Sequence, residues 1–306
     1  MVLDKFVNIV KLGRFIAHAA ILVYILGALF AVVVGASFDV VKFVVGYVIL
    51  FTGVLAAIYT NNYNDVAIDT HSMHTFFSGG SSILIDHPEL MNTARHLATA
   101  LFGISILLGF VAMLAFSYPV SFFIYVVIGN FLGWCYTSPP FRLVYRGFGE
   151  LLTMVGAGFI MPGLAYFMLR GTIDVRFVVF SIPLMIFGFT ISLYLELPDK
   201  KADTIGRKLT FVVRRGERLG FLLGILSVCL VICCYVLFAF FPLLDIPLNF
   251  WLIALFSILP ILVGIWSFVK YSADPTKLVP IVFRTVTCVF LFYILLDVYL
   301  AYTILT

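Results

Sequence analysis

Asn61, Asp65 and Asp69 stand four residues apart at the end of a long apolar run. On a helix this spacing keeps the three side chains on roughly one face. Asp199 and Asp203 repeat the pattern after a later apolar run, within Leu197-Pro198-Asp199-Lys200-Lys201-Ala202-Asp203. Carboxylates at the depth where lipid meets water must be solvated, paired or bound to a cation. Each file alone has a plainer use. Asn61, Asn62 and Asn64 suit a helix end and a turn, and Asp199 suits a surface pair with Lys200 or Lys201. Two files of one form, each directly after an apolar run, favour a joint role. Hard carboxylate oxygens suit Mg²⁺, which is usually held by one or two carboxylates plus substrate phosphates. Gly206-Arg207-Lys208 trails the second file, and Arg and Lys suit the phosphates themselves. The pattern reads as a Mg²⁺–diphosphate site beneath an apolar cavity, shaped for a diphosphate head on a long hydrocarbon tail.

The rest of the chain must bring the two files face to face. It is 63% apolar and 11% charged, whereas soluble domains average about a quarter charged. Apolar runs long enough to cross a bilayer recur throughout, so the chain reads as an all-α, polytopic membrane protein. Nine spans are expected: Phe15–Ser37, Phe43–Thr60, Leu97–Tyr118, Pro119–Tyr136, Leu151–Leu169, Phe177–Leu195, Leu219–Phe241, Phe250–Val269 and Thr285–Leu305. The first is too long for the core of a signal peptide. The third and fourth are separated at Ser117-Tyr118-Pro119, since Leu97 to Tyr136 exceeds one span. With nine spans, 16 of the 19 Lys and Arg residues fall on the side of the N-terminus, leaving Lys42, Arg170 and Arg176 opposite. That asymmetry assigns the first side to the cytoplasm. The two longest connections, 61–96 and 196–218, share that side and each begins with an acidic file. The working face is therefore expected to be cytoplasmic.

Other features receive structural readings. Phe76-Phe77-Ser78-Gly79-Gly80-Ser81 is a glycine turn with bulky neighbours, either a lid at the membrane edge or a flexible turn. Asp86 and Glu89 have the spacing of a helix cap. Two prolines close the run before Phe141-Arg142-Leu143-Val144-Tyr145-Arg146, and Glu150 opens the next span. Arg146 suits a positive-inside anchor, and Arg142 has apolar neighbours on both sides. Cys135, Cys229, Cys233, Cys234 and Cys288 lie in apolar runs without metal-binding or CxxC spacing, so they read as small apolar residues.

Asn61-xxx-Asp65-xxx-Asp69 and Asp199-xxx-Asp203, with Gly206 and Lys208 following, resemble the two motifs of the UbiA superfamily of intramembrane prenyltransferases. The nine-span layout extends the resemblance over nearly the whole chain. It implies two four-helix bundles plus a ninth helix around a central cavity, with one motif after the second helix of each bundle. The chain would then be a single domain over 1–306, with halves of roughly 1–147 and 148–279 and a last helix at 280–306. It implies Mg²⁺ held by Asn61, Asp65, Asp69, Asp199 and Asp203, the four aspartates being catalytic. The donor implied is a prenyl diphosphate, geranylgeranyl diphosphate among the candidates, with Asn61, Arg142, Arg207 and Lys208 on the substrate. A lipophilic acceptor, commonly an electron-rich aromatic ring, would capture the allylic cation that Phe and Tyr side chains shelter. Nucleic acid is not among the expected partners.

The Phe77-to-Ser81 stretch, the Thr137-to-Leu143 loop and the form of the second motif look most like the menaquinone branch, whose acceptor is a dihydroxynaphthoate. The archaeal branch that alkylates geranylgeranylglyceryl phosphate is the alternative, but its Arg-Pro-rich loop after the first motif is absent. The chain carries Asn62 where many members have Asp. It has no Arg or Lys between Asp69 and Arg95, only His71 and His74. An ion-coupled transporter is the rival outside the enzymes, and Asp297 in the last span would suit it. Transporter sites, however, lie near the midplane at broken helices, whereas both files lie at one face. Asp297 is read as a packing or hydrogen-bonding residue facing the bundle interior. A phospholipid head-group transferase lacks its Asp-Gly-xx-Ala-Arg signature here.

Overall fold

The computed structural model describes residues 2–13, 16–72, 80–241, 245–272 and 274–306 of the 306-residue chain. Arg14, His74 and the Phe76–Gly79 part of the glycine turn lie outside the described residues. The described residues are helical, without strands: α1 (Val2–Leu12), α2 (Ile16–Val33), α3 (Val40–Asp69), α4 (Ile83–Asp86), α5 (Met91–Ala115), α6 (Val120–Cys135), α7 (Gly149–Val155), α8 (Met161–Arg170), α9 (Val175–Ile205), α10 (Phe211–Arg215), α11 (Glu217–Phe240), α12 (Phe250–Phe256), α13 (Ile258–Val269) and α14 (Pro275–Leu305). A π-helical turn, Gly156–Ile160, joins α7 to α8. Among the described residues seven helices are long and apolar enough to cross a membrane, and Ala20–Val33 and Val120–Cys135 are shorter apolar helices. Leu107, Leu226 and Leu262 are 60%, 54% and 58% exposed on the outer surface. Bare leucine on this scale suits lipid and not water, so this is a multi-pass membrane protein.

The break expected at Ser117-Tyr118-Pro119 is present. Ser117 adopts a positive φ of 54°, and Pro119 sits just ahead of α6 as its cap residue. The cap expected at Asp86 is not formed. Asp86 is the last residue of α4, no side chain caps the following helical turn, and Glu89 accepts from His87 instead. The physical reason is Pro88, which bars His87 from helical backbone angles and so delays the helix.

The two file-bearing helices are, with α14, the three longest. α3 has 30 residues and α9 has 31, each about 45 Å long at 1.5 Å per residue. Each starts on an aspartate cap. Asp39 accepts from the backbone of Val41 and Lys42 at 2.9 and 3.1 Å, and Asp174 from Arg176 and Phe177 at 3.0 and 3.2 Å. A hydrocarbon core of about 30 Å takes roughly 20 residues. Counted from either cap, 20 residues end near Thr60 or Leu195, and the acidic files are what remains. Helix length alone therefore carries both files past the lipid at the same face.

Core packing holds the register. α2 lies against α8 and α14, α3 against α5, and α9 against α7 and α11. Tyr24, Phe30, Tyr166, Phe177, Phe180 and Phe187 are fully buried between them, with Phe30 stacked on Phe180 at 3.8 Å.

Candidate active site

The ends of α3 and α9 meet because Gly206 lets them. A Cβ at Gly206 would lie 2.4 Å from the Ile68 side chain, so any larger residue would hold the helices apart. Past Gly206 the chain turns back on itself. Arg207 takes a left-handed conformation (φ 57°), its N–H donates to the Thr204 carbonyl at 3.2 Å, and the Lys208 N–H donates to the Asp203 carbonyl at 2.9 Å. These are the two hydrogen bonds of a Schellman helix end. The turn aims the Lys208 side chain back beneath the helix it has just left.

There its ammonium sits between the files, 2.8 Å from Asp65 Oδ2 and 3.6 Å from Asp203 Oδ1. Burial alone would push the Lys208 pKa down. The facing carboxylates of Asp65 and Asp203 outweigh it and raise the pKa above the ordinary lysine value, so the ammonium stays charged at neutral pH. Asp65 is 2% exposed, and its other oxygen accepts from the Tyr145 hydroxyl at 2.5 Å. Burial first, and then the Asp65 charge, raise the Tyr145 pKa, so the phenol keeps the proton it donates. Tyr145→Phe is expected to lower thermal stability in detergent by the worth of one hydrogen bond to a charged group, about 1.5–3 kcal/mol. A melting temperature equal to that of the parent would show that the contact is not made.

Asn61, Asp65, Asp69, Asp199, Asp203 and Lys208 all line one polar cavity of about 230 Å³. Asp69 lies against Gly80, whose left-handed backbone (φ 64°) brings it so close that a Cβ there would fall 1.9 Å from a carboxylate oxygen. Arg142 and Arg207 are exposed and do not line this cavity. The Arg142 guanidinium lies 5.4 Å from the centre of the Tyr145 ring. His71 is exposed and outside the cavity as well. Lys200 pairs with Glu217 at 2.7 Å, not with Asp199. Asn62 ties its amide nitrogen to the carbonyls of Ile58 (2.8 Å) and Leu12 (3.4 Å). Asn64 bonds Thr137 and Ser138, fixing the first file to the loop after α6.

Sequence reasoning did not single out Tyr145 or Glu196. Glu196 lines the polar cavity, is buried, and accepts from Ser192 at 3.1 Å. Its signal was available: it precedes Asp199 by three residues, as Asn62 precedes Asp65, and it stands alone in an apolar run. Tyr145 carries no such mark, being one aromatic in a loop between two arginines. Asp297 is half-buried beside Tyr293 and lines neither cavity described here; its Oδ1 has no hydrogen-bond partner.

A second cavity, of about 320 Å³ and almost wholly apolar, adjoins the first. The two share Ile58, Asn61, Tyr136 and Thr153 as lining residues. Its walls come from α3, α6, α7, the π-helical turn and α8. A charged chamber thus opens on a greasy one, with Asn61 at the junction.

Residues 20–285 match the UbiA prenyltransferase family. The chain belongs to that family. It is 26% identical over 170 residues to the 1,4-dihydroxy-2-naphthoate octaprenyltransferase of Bacillus subtilis (strain 168), a match covering 55% of this chain and 54% of that one, so the chain spans about half the length of this relative. Its fold is similar to that of a UbiA homologue from Archaeoglobus fulgidus bound to GPP and Mg²⁺. There the TM-score is 0.67 at 12% identity, covering 97% of this chain and all of the other. A digeranylgeranylglyceryl phosphate synthase has a similar fold too, with a TM-score of 0.61 at 12% identity, covering 96% of this chain and 99% of that one.

The donor set fits a hard divalent cation. Both files offer carboxylate oxygens to one cavity, Asn61 Oδ1 is buried without a hydrogen-bond partner, and a cationic group already stands between the files. Among the described residues no three Asp, Glu, His or Cys groups are close enough to share an ion by themselves. Mg²⁺ usually takes only one or two carboxylates and completes its shell with water and ligand phosphates.

Proposed function

We propose that the protein is a Mg²⁺-dependent intramembrane prenyltransferase, moving an isoprenyl group from a prenyl diphosphate to a lipophilic acceptor. The acceptor favoured is an aromatic quinone precursor of the 1,4-dihydroxy-2-naphthoate kind. The observation that carries this reading is the pair of cavities that share Ile58, Asn61, Tyr136 and Thr153. A diphosphate suits the first cavity and a hydrocarbon tail the second, which leaves the bond between head and tail at the junction. The match to the Bacillus relative supports the naphthoate acceptor.

Asn61, Asp65, Asp69, Asp199 and Asp203 would hold the metal, which supplies positive charge against the diphosphate. The protein's own groups do the rest. Lys208 brings a further positive charge to the leaving diphosphate, and Arg142 and Arg207 stand outside the cavity to meet its outer oxygens. As the carbon–oxygen bond breaks, the diphosphate keeps the bonding electrons. The apolar walls exclude water from the allylic cation. A ring carbon of the acceptor then forms the new bond and the ring loses a proton. In this reading nine spans form two four-helix halves and a last helix, and the surplus of Lys and Arg on the side of the N-terminus supports a cytoplasmic working face.

The test is incubation of purified protein with labelled geranylgeranyl diphosphate and a panel of acceptors, followed by product identification. The panel should hold 1,4-dihydroxy-2-naphthoate and geranylgeranylglyceryl phosphate. A prenylated naphthoate is expected. A prenylated glyceryl phosphate would move the protein to the archaeal lipid branch. Ion transport in proteoliposomes without any transfer would contradict the reading.

A further inference from the structure

Besides Asn61 at the junction, one side chain lining the apolar cavity carries a polar atom without a hydrogen-bond partner. Asn130, on α6, is 8% exposed. Its amide nitrogen donates to the Val126 carbonyl at 2.9 Å and to Ser105 Oγ at 3.0 Å. A carbonyl only accepts, so the nitrogen must lie on that side and the amide cannot be reversed. Ser105, fully buried, passes its own proton to the Ile49 carbonyl at 2.9 Å, which leaves its oxygen to accept from Asn130. The direction of the whole chain, Asn130 to Ser105 to Ile49, is therefore fixed. It ends by presenting Asn130 Oδ1 as an acceptor that has no hydrogen-bond partner.

A buried acceptor without a donor is costly, and folds that keep one have a reason to. The facing wall carries no side chain at this point. Gly53, also lining the cavity, would with a Cβ come 3.0 Å from Asn130 Oδ1 and 3.2 Å from Ser105 Oγ. Two hydroxyls at this wall already donate elsewhere. Tyr125 donates to Phe159 and Ile160, and Thr153 to Gly149. Asn130 is thus, with Asn61 at the junction, a polar group still able to recognise something in the cavity.

We infer that Asn130 Oδ1 is a recognition point for a hydroxyl group on the lipophilic molecule that enters this cavity, held in aim by Ser105. A prenyl tail is a hydrocarbon and has no hydrogen to give. A phenol or naphthol has one, so the group recognised belongs to the acceptor and not the donor. This rests on the proposed reading that a hydroxylated lipophilic acceptor is the second substrate. The role is selection: a molecule of equal shape lacking the O–H leaves the oxygen unpaired and is rejected on that account.

The experiment uses the full chain in nanodiscs and two probes of like shape, 1-naphthol and 1-methoxynaphthalene. Binding of each is measured to the parent, Asn130→Leu and Ser105→Ala. Partition into lipid is common to all three proteins and cancels in the comparison. The parent is expected to prefer the naphthol by about tenfold more than Asn130→Leu does, the worth of one buried hydrogen bond. Ser105→Ala, which leaves the Val126 carbonyl as the amide's one remaining partner, is expected to lose part of that preference. Equal preference in all three proteins overturns the inference. Should Asn130→Leu fail to fold, Asn130→Ala, which removes the same oxygen, decides in the same two directions. Binding is read without turnover, so the two readings separate. Hydroxyl preference without prenyl transfer to any acceptor sinks the reaction and leaves the recognition point, and transfer with no preference does the reverse.

Discussion

Asp65→Asn and Asp199→Asn are each expected to reduce prenyl transfer by about a thousandfold or more, at the scale of losing several kcal/mol of charge stabilisation. The two substitutions act differently on the resting protein. Asp65 is buried and bonded on both oxygens, to Lys208 and to Tyr145. Its amide would keep one acceptor oxygen and turn the other position into a donor aimed at an ammonium or a phenol. Asp65→Asn should therefore also lower the melting temperature. Asp199 is half-buried and lies outside the Lys208 contacts, so its amide should leave both Lys208 pairs in place. Turnover by labelled donor and melting in detergent check the two effects. Full activity in either variant would remove that aspartate from the site.

Lys208→Met carries the largest expected cost to the unliganded protein. The lysine side chain is 13% exposed and faces carboxylates that are 3% and 7% exposed. Removing one partner of a buried ion pair leaves an uncompensated charge, a loss of roughly 3–5 kcal/mol. With the ammonium gone, the same carboxylates become more attractive to a divalent cation. Added Mg²⁺ should raise the melting temperature of the variant by more than it raises that of the parent. An equal rise in both proteins would mean that lysine and cation do not compete for one place.

The two acidic files, the cavity they share and the recurrence of long apolar helices were legible because each depends on spacing and hydropathy along the chain. Helix length then does the positioning, since Asp39 and Asp174 start the clock and about 20 residues of hydrocarbon bring the files out on one side. What spacing could not supply is the shape of the turn after the second file. Arg207 and Lys208 are neighbours in sequence and both cationic. Yet the left-handed residue at 207 sends one outward and folds the other under the helix. Arg142 and Tyr145 divide in the same way, the arginine exposed and the tyrosine hydroxyl on Asp65. Asp86 and Glu89 had the spacing of a cap, but a proline between them decided otherwise. Glu196 was overlooked because a single carboxylate beside a motif reads as part of its polar flank, until the fold closes a cavity around it.

In this reading the two files hold a diphosphate through a divalent cation. It is tested most directly by equilibrium binding of geranylgeranyl diphosphate to the purified protein in the presence of Mg²⁺ and after removal of the metal with EDTA. Binding is expected with Mg²⁺ and should be lost on chelation, returning when Mg²⁺ is restored. Binding of equal strength with and without EDTA would contradict the account, because it would leave the carboxylates of Asp65, Asp69, Asp199 and Asp203 facing a diphosphate with no metal ion between them.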